Sequence, residues 1–160
     1  MAIVLPSGDT LSCKQYKHAF MSSRITDLID ALAGFGRREK GGITRVAFSQ
    51  ADRLARQHYL DVIKHELDVA IRIDALGNIV ARRRGTHPHW PVLITGSHLD
   101  TVPDGGAYDG TAGVVAGVEA FRVLDQLGIE TRHPLELVVF TAEEPNPFGC
   151  LLYTSPSPRD

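Results

Sequence analysis

The sequence predicts an α/β fold, and three observations carry the prediction. Val92 to Thr95 and Leu135 to Phe140 are short apolar runs of strand length. Between them, Val114, Val115, Val118, Phe121, Val123, Leu124 and Leu127 recur at helical spacing over Gly110 to Leu127, so strand, helix and strand alternate. Each strand opens onto an acidic stretch, GSHLDTVPDGGAYDG (Gly96 to Gly110) after the first and FTAEEPNPFG (Phe140 to Gly149) after the second. Ligands of open α/β sheets sit beyond the carboxyl ends of the strands, so the two stretches are expected to meet in space.

The earlier elements follow from local pattern. Residues 1–22 show no clear periodicity and read as an N-terminal extension without an assigned function. From Arg24 to Phe35, Ile25, Leu28, Ile29, Leu32 and Ala33 share one helical face, and Gly34 and Gly36 end it. The loop REKGGITR turns at Gly41-Gly42. Ser49, with Asp52 three residues on, starts a second helix that runs to about Glu66, its inner side expected to hold Ala51, Leu54, Ala55, Val62 and Ile63. VAIRI alternates Val69, Ile71 and Ile73 as a half-buried strand; Ala75 to Asn78 turn the chain, and Ile79 to Arg83 return beside it. GTHPHWP, Gly85 to Pro91, is loop. After Gly149 the string CLLYTSPSPRD breaks the pattern. This Ser/Pro-rich run reads as a translated sequencing adapter, so 150–160 are expected to stand apart from the fold.

Composition narrows the function. The chain has 160 residues, 43% hydrophobic and 22% charged, ordinary for one globular domain. Its net charge of −2 argues against a nucleic-acid or anionic-membrane partner. No lysine follows Lys64, which excludes a lysine-dependent phosphate site in the later half. Cys13 and Cys150 form neither a disulfide framework nor a CxxC pair, so a cytoplasmic setting is expected. No apolar run reaches the roughly 20 residues that span a bilayer.

The acidic stretches offer one imidazole and four carboxylates: His98, Asp100, Asp109, Glu143 and Glu144. That set suits a divalent metal and hydrolysis. Two residues apart on a strand, Asp100 is expected to accept the second ring N–H of His98 and fix its tautomer; the plainer reading is a surface histidine beside a loop carboxylate. Asp109 reads either as a carboxylate bridging two cations or as the N-cap of the following helix. Glu143 and Glu144 are neighbours whose side chains are expected to diverge, one to metal and one to substrate; solvated surface charge is the alternative. His58, His65, His87, His89 and His133 lie where structural or surface roles fit better than ligation.

Taken together, GSHLDTVPDGGAYDG, GVVAGVEAFR and PLELVVFTAEEPNPFG resemble the hydantoinase/carbamoylase group of binuclear metal-dependent amidohydrolases, relatives of the aminoacylase-like metallopeptidases. GGITRVAFSQADRLAR (Gly41 to Arg56) and the D-x-x-GN of Asp74 to Asn78 extend the likeness over residues 22–149. The resemblance implies a zinc-peptidase-like catalytic domain, residues 23–149 being its N-terminal part, with a mixed central sheet flanked by helices. It implies His98, Asp109 and Glu144 as metal ligands, Asp109 bridging, with Asp100 orienting His98 and Glu143 as general base. Two divalent ions (zinc, or manganese, cobalt or nickel), a small carbamoyl or ureido substrate such as an N-carbamoyl-L-amino acid or allantoate, and a homodimer are implied as well. The remaining ligands, the substrate-gripping arginine and the lid or dimerisation domain are expected beyond residue 149. One departure stands out: Pro147 occupies a position where an arginine is usual in the group. Acylase-like or aminopeptidase-like chemistry is the alternative within hydrolases. A nucleotide-binding module is disfavoured, because no GxGxxG or Walker lysine accompanies the acidic loop.

Overall fold

The computed structural model describes residues 3–4, 10–11 and 22–145. The 150–160 tail and Pro147 lie outside them. A short antiparallel pair, β1 (Ile3–Val4) and β2 (Thr10–Leu11), precedes the main body. There follow α1 (Ser22–Ala33), α2 (Gln50–Glu66), β3 (Ala70–Ile73), β4 (Ile79–Arg83), β5 (Leu93–His98), α3 (Thr111–Gln126) and β6 (Leu135–Phe140).

The main sheet has the order β3-β4-β6-β5. β4 is antiparallel to β3 and β6, whereas β5 and β6 are parallel, so the sheet is mixed as expected. α3 is the crossover between the two parallel strands, the connection such a pair requires. In register, Leu93 pairs with Leu135 and His98 with Phe140, so both strands finish level. That alignment delivers the two acidic stretches to one edge of the molecule.

The core lies on the sheet face bearing Ile79, Ala81, Leu137 and Val139. Leu28, Ile29 and Leu32 of α1, Ala55, Tyr59 and Ile63 of α2, and Val114, Val115, Val118 and Phe121 of α3 close over it. α3 rides low on the sheet because Gly117 leaves room for Leu137: a Cβ there would meet Leu137 Cδ1 at 2.4 Å. On the opposite face Glu136 pairs with Arg82 at 2.9 Å and approaches Arg72 at 3.7 Å, joining three strands.

α2 begins as its sequence indicates. The Asp52 N–H donates to Ser49 Oγ (3.2 Å) and Asp52 Oδ2 accepts from the Phe48 N–H (2.9 Å), a reciprocal cap. Its inner face differs from expectation: Tyr59 is fully buried and Leu54 is exposed. The helix presents the Asp52-Ala55-Tyr59-Ile63 line to the core, with Val62 packed at its margin, so Ala55, Val62 and Ile63 face inward as expected and Leu54 does not. β3 is an edge strand, and Ile73, expected to be inward, is exposed at its end.

Candidate metal centre

The centre forms where β5 and β6 stop. His98 is the last residue of β5 and is 6% exposed. Its Nδ1 lies 3.0 Å from the Asp100 main-chain oxygen. A carbonyl only accepts, so Nδ1 carries a proton, and in the neutral ring Nε2 presents its lone pair outward. The expected side-chain contact is corrected here: Asp100 Oδ1 stands 3.7 Å from Nδ1, too far for a hydrogen bond. The chain leaves the strand after His98, so the two-residue strand periodicity no longer applies and the carbonyl takes the place expected for the carboxylate. Asp100 still joins the two stretches, because its Oδ2 accepts from the Glu144 N–H at 3.0 Å.

Nε2 of His98 faces carboxylates. Glu143 Oε2 is 3.4 Å away and Asp109 Oδ1 3.8 Å. One ligand atom each from His98, Asp109 and Glu144 lie mutually within 4.8 Å. Glu144 belongs to the gathered set while Glu143 stands outside it, close to the His98 ring. Burial pushes the Glu144 carboxyl above the usual carboxylate range, and the negative charges of Asp109, Glu143 and Asp100 push the same way, against the lowering influence of the His98 ring when it is protonated. The donor set fits a divalent cation: a lone pair facing anionic oxygens from two chain segments is repulsive until a positive charge stands between them.

Asp109 keeps its carboxylate for this edge. The N-cap of α3 is Gly110, with no side-chain cap bond, which decides against Asp109 as the cap. Gly110 has φ 63° and ψ −52°, and a Cβ on it would lie 2.5 Å from the His98 ring. Only glycine lets the loop close this tightly over the imidazole.

Two upstream segments hold the stretches in place. In the D-x-x-GN turn, Asp74 Oδ1 accepts from the Leu76 and Asn78 N–H groups, and Asn78 Nδ2 donates to Asp74 Oδ2 (2.9 Å each). Asn78 Oδ1 then accepts the Thr141 N–H at 2.9 Å, anchoring the start of the second stretch. Ile43 to Arg45 pair with the first stretch in the same manner. Sequence reasoning named both segments but assigned them no work at the site. A buried arginine such as Arg45 carries no local signal, since its burial depends on carbonyls distant in sequence. Of the five remaining described histidines, His58 packs on Phe35, while His87 and His133 pack on Trp90. None joins the cluster of His98, Asp109 and Glu144.

The chain is similar to an N-carbamoyl-L-amino acid amidohydrolase of Geobacillus stearothermophilus (38% identity over 121 residues, 76% of this chain and 29% of the relative). It is similar to a ureidoglycolate hydrolase of Oryza sativa subsp. japonica (42% over 125 residues, 77% and 26%). Among solved structures, a hydantoinase/carbamoylase family amidase from Burkholderia multivorans superposes with a TM-score of 0.75 at 35% identity, over 78% of this chain and 30% of that one. The chain thus spans under a third of the length of these relatives. The family model described as Peptidase family M28 matches residues 78–159, half of the chain and both strand ends with their acidic stretches. With its fold shared by the hydantoinase/carbamoylase amidases, the chain belongs to peptidase family M28.

Proposed function

We propose that this chain is part of a metal-dependent amidohydrolase that cleaves linear amide or ureido C–N bonds, with N-carbamoyl-L-amino acids or allantoate as the substrate class. The observation that carries the reading is the His98 Nε2 lone pair set against Asp109, Glu143 and Glu144 at the level ends of two parallel strands. The names of the similar proteins support the substrate class. The resemblance to the family supports a two-ion centre, zinc or manganese, cobalt or nickel, and a homodimer, and the absence of a cysteine framework in the sequence supports a cytoplasmic setting.

His98, Asp109 and Glu144 would hold cation, Asp109 shared between two ions. A cation there supplies polarisation of the scissile carbonyl and activation of water. Asp100 fixes the His98 ring through its carbonyl and steadies Glu144 through its carboxylate. Glu143, partly exposed, takes a proton at Oε2 from the attacking water and returns it to the leaving nitrogen.

The test uses the protein extended to the length of its relatives, assayed for release of product from N-carbamoyl-amino acids, allantoate, acyl-amino acids and dipeptides. Turnover of ureido substrates is expected, abolished by chelation and restored by divalent cation. Glu143→Gln is expected to lower kcat by about 10²- to 10⁴-fold while retaining bound metal, whereas His98→Ala and Glu144→Ala lose metal. Hydrolysis of acyl-amino acids or dipeptides alone would reassign the substrate class. The 160-residue chain, with three gathered ligand residues, is expected to bind cation and to hydrolyse none of these compounds.

A further inference from the structure

Arg45 is fully buried, yet it sits in the polar, glycine-rich loop between α1 and α2. Its guanidinium is spent on three separate parts of the fold. Nε donates to Leu99 O at 2.6 Å, between His98 and Asp100. Nη1 donates to Leu32 O (2.6 Å) and Phe35 O (3.1 Å) at the end of α1, where helix carbonyls lack intrahelical partners. Nη2 donates to Thr111 Oγ1 at 3.2 Å, the first residue of α3 and two beyond Asp109. The main chain adds to the grip. The Arg45 N–H donates to Thr101 Oγ1 (3.0 Å), Arg45 O accepts from the Thr101 N–H (2.9 Å), and Ile43 and Gly105 exchange N–H···O bonds of 2.9 and 2.8 Å. Burial lowers the arginine's proton affinity, while the negative fields of Asp52 and Asp100 oppose that effect.

We infer that Arg45 is a positioning residue of the metal centre: its planar fork sets the distance between the His98–Asp100 turn and the Asp109–Thr111 helix start. This rests on the cation-site reading above. The geometry gives the reason for a guanidinium. Four acceptors lie around one plane, and an ammonium, a point donor on a flexible stem, cannot serve all of them. The immediate object is the tautomer of His98. Leu99 O is the carbonyl preceding Asp100, so the bond from Nε fixes the peptide turn that brings Asp100 O to His98 Nδ1. A merely structural arginine would affect stability and leave that ring alone.

The experiment compares the 160-residue chain with its Arg45→Met and Arg45→Lys variants. ¹⁵N-histidine NMR of the metal-free protein reads the His98 tautomer, and a Co(II) titration reads affinity. His133, whose Nδ1 contacts Pro91 O at 2.7 Å remote from Arg45, serves as internal control. In the unsubstituted chain His98 is expected as the Nδ1–H form. In Arg45→Met it becomes a mixture while His133 is unchanged, and the Co(II) dissociation constant rises at least about tenfold; Arg45→Lys falls between. A pure Nδ1–H His98 in Arg45→Met, or in Arg45→Lys if the methionine variant does not fold, overturns the inference. Absence of Co(II) binding by the unsubstituted chain would instead overturn the expectation that His98, Asp109 and Glu144 hold cation by themselves, with the tautomer still deciding the role of Arg45.

Discussion

At the scale of single residues, the centre depends on hydrogen-bond polarity. A main-chain oxygen on one side of His98 forces its lone pair to the other, where the carboxylates stand. Gly110 is what permits the closeness. Gly110→Ala adds a methyl 2.5 Å from the ring and puts alanine at a positive φ. The expected outcome is a loss of about 1–3 kcal/mol in urea unfolding, with weakened Co(II) binding as His98 is displaced. Unchanged binding would show that the loop can open without cost. His98, Asp109 and Glu144 could be named from the sequence because the family resemblance assigns them as ligands, and the structure gathers all three. Arg45 and Tyr59 could not. Each looks polar and solvated locally, and only distant packing encloses it.

At the scale of elements, α1, α2 and α3 are tied by charge as well as by apolar contact. Glu119, fully buried on α3, accepts from Arg24 Nε of α1 at 3.1 Å and from Arg122 Nη1 at 3.4 Å. Arg122 Nε donates in turn to Glu66 at the end of α2 (2.6 Å). Removing one member of a buried ionic cluster leaves the others desolvated without their counter-charge. Glu119→Ala is therefore expected to cost about 3–5 kcal/mol, measured by chemical denaturation. A cost below 1 kcal/mol would mean that the arginines re-solvate freely. The helices themselves were legible: periodicity placed α1 and α3 to within two or three residues at each end, and Ser49 with Asp52 marked the start of α2. The facing of α2 was legible in part: Ala55 and Ile63 lie inside as expected, but Asp52 and Tyr59 are buried beside them while Leu54 is outside, against what hydrophobicity alone indicates.

For the whole molecule, the mixed sheet was expected from the resemblance, while the strand order became visible only in three dimensions. Local pattern cannot say that β6 inserts between β4 and β5. That order leaves β5 as an edge strand whose outer side has no strand partner among the described residues, with Leu93 and Ile94 55% and 63% exposed. Such an edge is a template for pairing with another chain. Ile94→Lys is expected to reduce concentration-dependent association in static light scattering, without loss of helical circular dichroism. Equal association of both proteins would place the contact elsewhere. Among the described residues no helix is long and apolar enough to cross a membrane.

The strand order also sets a timetable. Among the described residues β5 pairs with β6 alone, which the ribosome makes after the whole of α3. Until Leu135 to Phe140 emerge, the nascent chain can form the β3–β4 hairpin and its helices, but His98 has no strand to anchor it and Glu143 does not yet exist. Both halves of the centre therefore come together only once β6 lies between β4 and β5. A chain that stalls just before Leu135 would hold His98 and Asp109 without the Glu144 that gathers with them.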